Sequence, residues 1–137
     1  MRGRRLAFDY GDVRIGVAIS DPDSIICSPL PFLLRKNPSL LDEIQGLVQE
    51  YEPITIFIGL PKHLSGNEGS SAEKVHAFAI SLEKFAIPVV LVDERLSTVS
   101  AAQKLREAGR SARESKSLID SMAAVSILEQ GISLAKD

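Results

Sequence analysis

Apolar residues alternate with other residues in two early runs, residues 4–9 and 14–20, where Leu6, Phe8, Ile15, Val17 and Ile19 recur at every second position. That period belongs to β-strands. Tyr10-Gly11-Asp12 between them predicts a β-hairpin. A third apolar run, about 26–34, contains Pro29 and Pro31, which cannot donate ladder hydrogen bonds. It is therefore expected at a sheet edge. The pattern then changes period. Leu40, Ile44, Leu47, Val48 and Tyr51 give helical spacing to about residue 52, after a start at Asn37-Pro38-Ser39 with Asn37 or Ser39 as cap.

Residues 54–58 are apolar and β-branched apart from Thr55 and Phe57, without alternation, as in a strand covered on both faces. A loop is expected over 59–71, where three glycines and three serines fall. A helix over about 71–85 follows, with Ala72, Val75, Ala79 and Leu82 on one face. Pro88 introduces another fully apolar strand over 89–92, expected, like that over 54–58, to be buried. Ser97 or Thr98 can cap a helix ending near Gly109, and residues 110–115 read as a polar linker before a last helix at about 116–134. Three antiparallel strands thus precede strand–helix alternation, in which helical crossovers imply parallel pairing. The expected class is α/β in one domain, since 137 residues supply one core and not two.

Composition narrows the chemistry. Cys27 is the single cysteine, so an internal disulfide is excluded, and no Cys/His cluster suggests zinc. The basic residues after Met1 run directly into a strand, and no stretch has the length of a membrane span, so a cytoplasmic protein without a membrane partner is expected. Net charge is −2, which argues against an overall basic coat. The distribution is uneven, however. Residues 95–116 carry six basic side chains against two acidic ones, and Arg2, Arg4 and Arg5 form a second cluster. Either a solvated surface or a phosphate-binding patch fits these.

Three acids stand apart from this surface charge. Asp9 ends the first strand, Glu94 follows the last, and Asp120 precedes Ala123, Ala124 and Ile127 on one helical face. In an open α/β sheet, ligands bind beyond the carboxyl ends of the strands, where Asp9 and Glu94 would both lie. Small residues beside Asp120 would let its helix approach the same edge. Converging carboxylates are costly unless compensated, and hard divalent cations compensate them through oxygen ligands. Taken singly, each has a plainer role: a turn cap for Asp9, pairing with Arg95 or Arg14 for Glu94, a helix-surface position for Asp120.

Other candidates carry the same two readings. Arg14 would bind phosphate or pair with Asp12. Arg95 would touch a phosphate backbone or pair with Asp93 or Glu94. Lys62 and His63 lie in the loop after the 54–58 strand, at the expected active edge. The glycine-rich stretch Gly66–Ser71 has no Walker spacing and is not a P-loop.

The motifs resemble the YqgF/RuvX family. They are Ala7-Phe8-Asp9-Tyr10-Gly11 with Arg14-Ile15-Gly16-Val17-Ala18-Ile19-Ser20-Asp21, then Gly59-Leu60-Pro61 with Gly66-Asn67-Glu68-Gly69, Asp93-Glu94-Arg95-Leu96-Ser97-Thr98, and Ile119-Asp120-Ser121-Met122-Ala123-Ala124. The resemblance covers nearly the whole chain. It implies a ribonuclease H-like fold: a five-stranded mixed sheet, order 3-2-1-4-5, with helices on both faces. It further implies a nuclease of ribosome biogenesis acting at the 5' end of pre-16S ribosomal RNA, with Holliday junction resolution as the alternative. Asp9, Glu94 and Asp120 would then be the acidic triad for Mg²⁺ or Mn²⁺. The nucleic-acid contacts would be Arg14, Lys62, Arg95, Arg110, Arg113 and Lys116. The chain departs from the family in having Val13-Arg14 where a Lys-Arg pair is usual, and in a sparser basic run before Asp120; each lost phosphate contact weakens binding. A nucleic-acid-binding regulatory module with little catalysis is the competing class. An actin-like ATPase would need two lobes, and this chain has residues for one.

Overall fold

A computed structural model describes residues 2–60, 68–93 and 112–135, with the side chains of 68–72 and 112–120 left aside. The chain runs β1 (Arg5–Tyr10), β2 (Arg14–Ser20), β3 (Cys27–Leu34), α1 (Leu40–Tyr51), β4 (Thr55–Leu60), α2 (Glu68–Ser81), a 3₁₀ turn (Glu83–Phe85), β5 (Val89–Asp93) and α3 (Ala112–Ala135). The five strands form one sheet in the order β3-β2-β1-β4-β5. β1 pairs antiparallel with β2, and β2 with β3, whereas β1–β4 and β4–β5 are parallel. Order and pairing are those expected.

The alternation seen in sequence sorts the two cores. Leu6, Phe8, Ile15 and Val17 point to one face and pack under Ile44 of α1, Val75 and Phe78 of α2, and Leu82 just beyond α2. Ala7 and Ala18 point to the other, where Phe57 and Val92 join Met122, Ala124, Ile127 and Leu128 of α3. Alanines on the second face leave room for α3 to lie close to the sheet. At Gly131, an added Cβ would stand 2.6 Å from the Phe57 ring. Covering both faces of β4 explains its unbroken apolar run: Ile56, Phe57, Ile58 and Gly59 are all buried.

Several boundaries differ from the pattern-based expectation. α3 starts at Ala112, so residues 112–115 of the expected linker are helical; Ala112, Arg113 and Glu114 are helix formers with no breaker among them. β4 extends to Leu60 because Gly59 and Leu60 pair with Val92 and Asp93. α2 begins at Glu68 and stops at Ser81; the remaining turn is 3₁₀ and closes on Ala86 at φ 58°. β5 is an edge strand with Val90 exposed, so its apolar run does not mark burial on both sides. At α1, Ser39 occupies the cap position without a side-chain bond. Asn37 instead holds the entry two residues earlier, its Oδ1 accepting from Ser39 N at 2.9 Å and its Nδ2 donating to Glu43 at 2.8 Å. The expected helix at 97–109 lies outside the described residues.

Candidate active site

The carboxyl ends of β1, β4 and β5 (Tyr10, Leu60, Asp93) lie along one edge of the sheet. The start of β2 and the end of β3 reach the same edge, since Tyr10 pairs with Ile15 and Arg14 with Leu34. Asp9 stands there on the central strand, half-buried, on the face that α3 covers. Its cross-strand partner is Gly16, which has no side chain to crowd the carboxylate. Among the described residues, no hydrogen bond or ion pair engages that carboxylate.

The turn after Asp9 is held from several sides. Gly11 N donates to the carbonyls of Asp9 and Arg14, each at 3.1 Å. A Cβ on Gly11 would stand 2.6 Å from the Arg14 carbonyl oxygen, so no other residue fits without moving the turn. Tyr10 stacks on Phe78 of α2 at 4.4 Å, and Phe8 meets the same ring edge-on at 5.6 Å. Arg35, just past β3, closes the turn from outside. Its guanidinium lies 4.6 Å over the Tyr10 ring, its Nε donates to Tyr10 Oη at 3.0 Å and its Nη1 to the Gly11 carbonyl at 3.4 Å. Asp12 faces Arg35 at 3.6 Å. Asp12 is thus paired with Arg35. Arg14 lies over the Phe32 ring at 4.9 Å.

Arg35 and the exposed Lys36 escaped the sequence reading. They form a basic pair directly after an apolar strand, and that adjacency was the available signal. With Arg14 they place three cations at the edge that carries Asp9. Arg14 and Asp9 are on the same sheet face, two residues apart across the β1–β2 ladder, because Asp9 pairs with Gly16.

α3 reaches this edge through Ser121. The Ser121 hydroxyl accepts from Val17 N at 3.3 Å and donates to the Leu30 carbonyl at 2.5 Å. Asp120 therefore belongs to a helix turn fastened at the Val17 level, one pair from Asp9–Gly16. Its own side chain lies outside the described residues, as do those of Arg113 and Lys116. Glu94, Lys62, His63, Arg95 and Arg110 lie outside them altogether. Of the expected triad only Asp9 is fully described, and no cluster of three metal-ligating side chains occurs among the described residues. His76 is exposed on α2, away from this edge. Among the described residues, clefts of about 580 and 320 Å³ flank β5 and are lined by neither Asp9 nor Arg14.

No described helix is long and apolar enough to cross a membrane. Residues 3–133 match the family model RuvX, described as a Holliday junction resolvase. A protein of Streptomyces avermitilis named "Putative pre-16S rRNA nuclease" is 47% identical over 134 residues, covering 96% of this chain and 86% of its own. Its namesake in Streptomyces coelicolor is also 47% identical, covering 96% and 80%. Among solved structures, RuvC of T. thermophilus in complex with a Holliday junction substrate superposes with a TM-score of 0.63 at 12% identity, over 98% of this chain and 95% of that one. At that identity the likeness establishes the fold, which is ribonuclease H-like.

Proposed function

The chain belongs to the RuvX family, and from that membership we propose that it is a metal-dependent nuclease acting in the cytoplasm on structured nucleic acid, with the 5' end of precursor 16S ribosomal RNA as its substrate. The observation that carries this reading is Asp9, a carboxylate without a protein partner among the described residues, at the carboxyl edge of the central strand and beside a glycine. The donor set fits a hard divalent cation, because Asp9, Glu94 and Asp120 offer only carboxylate oxygens. These three would hold Mg²⁺ or Mn²⁺, which when bound activates water and stabilises the leaving oxygen of a phosphodiester.

The protein's own groups do the remaining work. The Gly11 turn and the Arg35 clamp fix Asp9 before substrate arrives, so little reorganisation is needed. Arg14 and Lys36 extend a cationic path along the sheet edge, and Lys62, Arg95, Arg110, Arg113 and Lys116 continue it in this reading. Such contacts set register on a phosphate backbone without reading sequence.

The family description favours branched DNA as a second substrate. Labelled ribosomal RNA precursor and a four-way DNA junction should therefore be incubated side by side, with Mg²⁺, with Mn²⁺ and with chelator. The expected result is metal-dependent cleavage of the RNA, lost in Asp9→Asn while binding persists. Cleavage of the junction alone would transfer the assignment to DNA. Full activity in Asp9→Asn would remove this edge as the catalytic site. Binding without cutting by the wild type would favour the regulatory-module reading.

A further inference from the structure

β3 cannot complete its ladder with β2. Ile15 pairs with Leu33 but Val17 with Leu30, so two residues of β3 oppose Gly16 where one would be regular. Pro31 is one of those two, and a proline has no N–H to offer. At the Val17–Leu30 pair beside this bulge, the ladder is bridged by a side chain from another element. Ser121 of α3, fully buried, takes the Val17 N–H at 3.3 Å and gives its own proton to the Leu30 carbonyl at 2.5 Å. One hydroxyl thus bonds two backbone groups that belong to different strands, the buried Val17 N–H and the half-buried Leu30 carbonyl, 104 and 91 residues away in sequence.

The helix can approach this far because the residues that follow are small. Ala123 and Ala124 are buried, and Ala18 lies beneath α3 in the same cluster. Ser126 makes a telling contrast on the same helix. It too is buried, but its hydroxyl has no partner. Burial alone therefore does not give a serine on α3 a bond to the sheet; the bulge does.

We infer that Ser121 is a positioning residue for the metal site: by bridging β2 and β3 at their bulge, it fixes the spacing between the α3 turn that carries Asp120 and the hairpin that carries Asp9. This rests on the nuclease reading above, in which those two acids share a cation. Val17, to which Ser121 is bonded, pairs with Phe8, the residue before Asp9. Both acids are thus referred to one rigid pair of strands. Metal ligands must be held within fractions of an ångström, and supporting residues commonly contribute about 10–100-fold in affinity.

Mn²⁺ binding by the full chain should be measured by calorimetry for wild type, Asp120→Asn, Ser121→Ala, Ser121→Cys and Ser126→Ala. Circular dichroism at the same temperature would give the folded fraction of each. Ser121→Ala is expected to weaken Mn²⁺ affinity about 10-fold with an unchanged molar ratio, and Ser126→Ala to leave it unaltered. A purely structural role would lower the folded fraction, and with it the molar ratio, while the affinity of the folded molecules stayed the same. If the alanine variant does not fold, Ser121→Cys carries the comparison, since a thiol keeps the size and a weak donor. Wild-type affinity in a folded Ser121 variant, with Asp120→Asn impaired, would overturn the inference. So would an equal loss in Ser126→Ala. Unimpaired binding in Asp120→Asn would instead defeat the metal-site reading, and Ser121's role with it.

Discussion

Two glycines test how closely α3 lies on the sheet. Gly46 sits in α1, where an added Cβ would meet nothing within 4 Å. Gly131 sits in α3, where it would stand 2.6, 2.7 and 2.8 Å from Cδ1, Cγ and Cε1 of Phe57. Replacing glycine by alanine inside a helix gains about 1 kcal/mol at either position. Gly46→Ala should therefore stabilise by about 1 kcal/mol. At Gly131 the contact must open by about 0.7–0.9 Å to reach ordinary carbon separation. The ring cannot swing away, because Phe57 is 2% exposed on a strand covered on both faces. Overpacking of this kind costs about 1–3 kcal/mol. Gly131→Ala should then be neutral to destabilising by about 2 kcal/mol. The helix term cancels in the difference between the variants, which isolates the packing cost at about 1–3 kcal/mol. Urea titrations would measure it, with the slope checked for constancy. Thermal midpoints should separate by roughly 3–5 °C per kcal/mol for a chain of this size. Two variants of equal stability would refute the close approach of α3 to β4, and with it the argument that small residues bring Asp120's helix to the sheet.

Arg35→Ala should lower stability by about 1–2 kcal/mol through loss of the Tyr10 and Gly11 contacts, with Arg35→Lys recovering little because a single ammonium cannot serve both; recovery to wild-type urea resistance in the lysine variant would show that charge alone matters. Ser126→Ala removes a buried hydroxyl without a partner and should raise the unfolding midpoint by an amount equivalent to about 1 kcal/mol; a fall would mean that the hydroxyl is satisfied. Asp21 accepts from the backbone N–H of Ile26, Ile25 and Asp23, and these bonds, led by that of Ile26, hold its carboxyl below the ordinary 3.8. A depressed folded value means that the contribution is present above pH 3.8 and is lost as pH falls through the folded value. Between pH 5 and pH 2.5, wild type should therefore lose more thermal stability than Asp21→Asn, and parallel curves would exclude the turn as the cause.

The strands were legible where burial follows local pattern. Leu6, Phe8, Ile15, Val17 and Ile19 alternate because the face toward α1 and α2 takes large side chains while the face under α3 takes Ala7, Gly16 and Ala18, whereas β4, covered on both faces, carries large apolar residues on each. The same reasoning failed for β5. Val89 to Val92 form an equally apolar run, yet the order β3-β2-β1-β4-β5 leaves this strand at the edge with Val90 exposed. Period reports how many faces are apolar, not which neighbours a strand will have. Pro29 and Pro31 did predict an edge, because a missing donor is a local property that no tertiary contact restores.

The site divides along the same line. Asp9 could be located from sequence because the hairpin motif ties it to a strand end within a few residues. What holds Asp9 could not. The clamp on its turn comes from Arg35, 25 residues from Tyr10, and depends on β3 returning to the same edge. The bridge from α3 depends on a bulge that Pro31 helps create and on a serine 91 residues beyond Leu30. Neither residue has a motif of its own: one is an arginine after a strand, which reads as a solvated side chain, and the other a serine in a helix, which reads as a mildly unfavourable helix former. Their meaning arises when a strand irregularity leaves backbone groups open, since buried donors and acceptors must be paired. A search for supporting residues in such a sheet should begin at its irregular pairs and ask which side chain satisfies the backbone there.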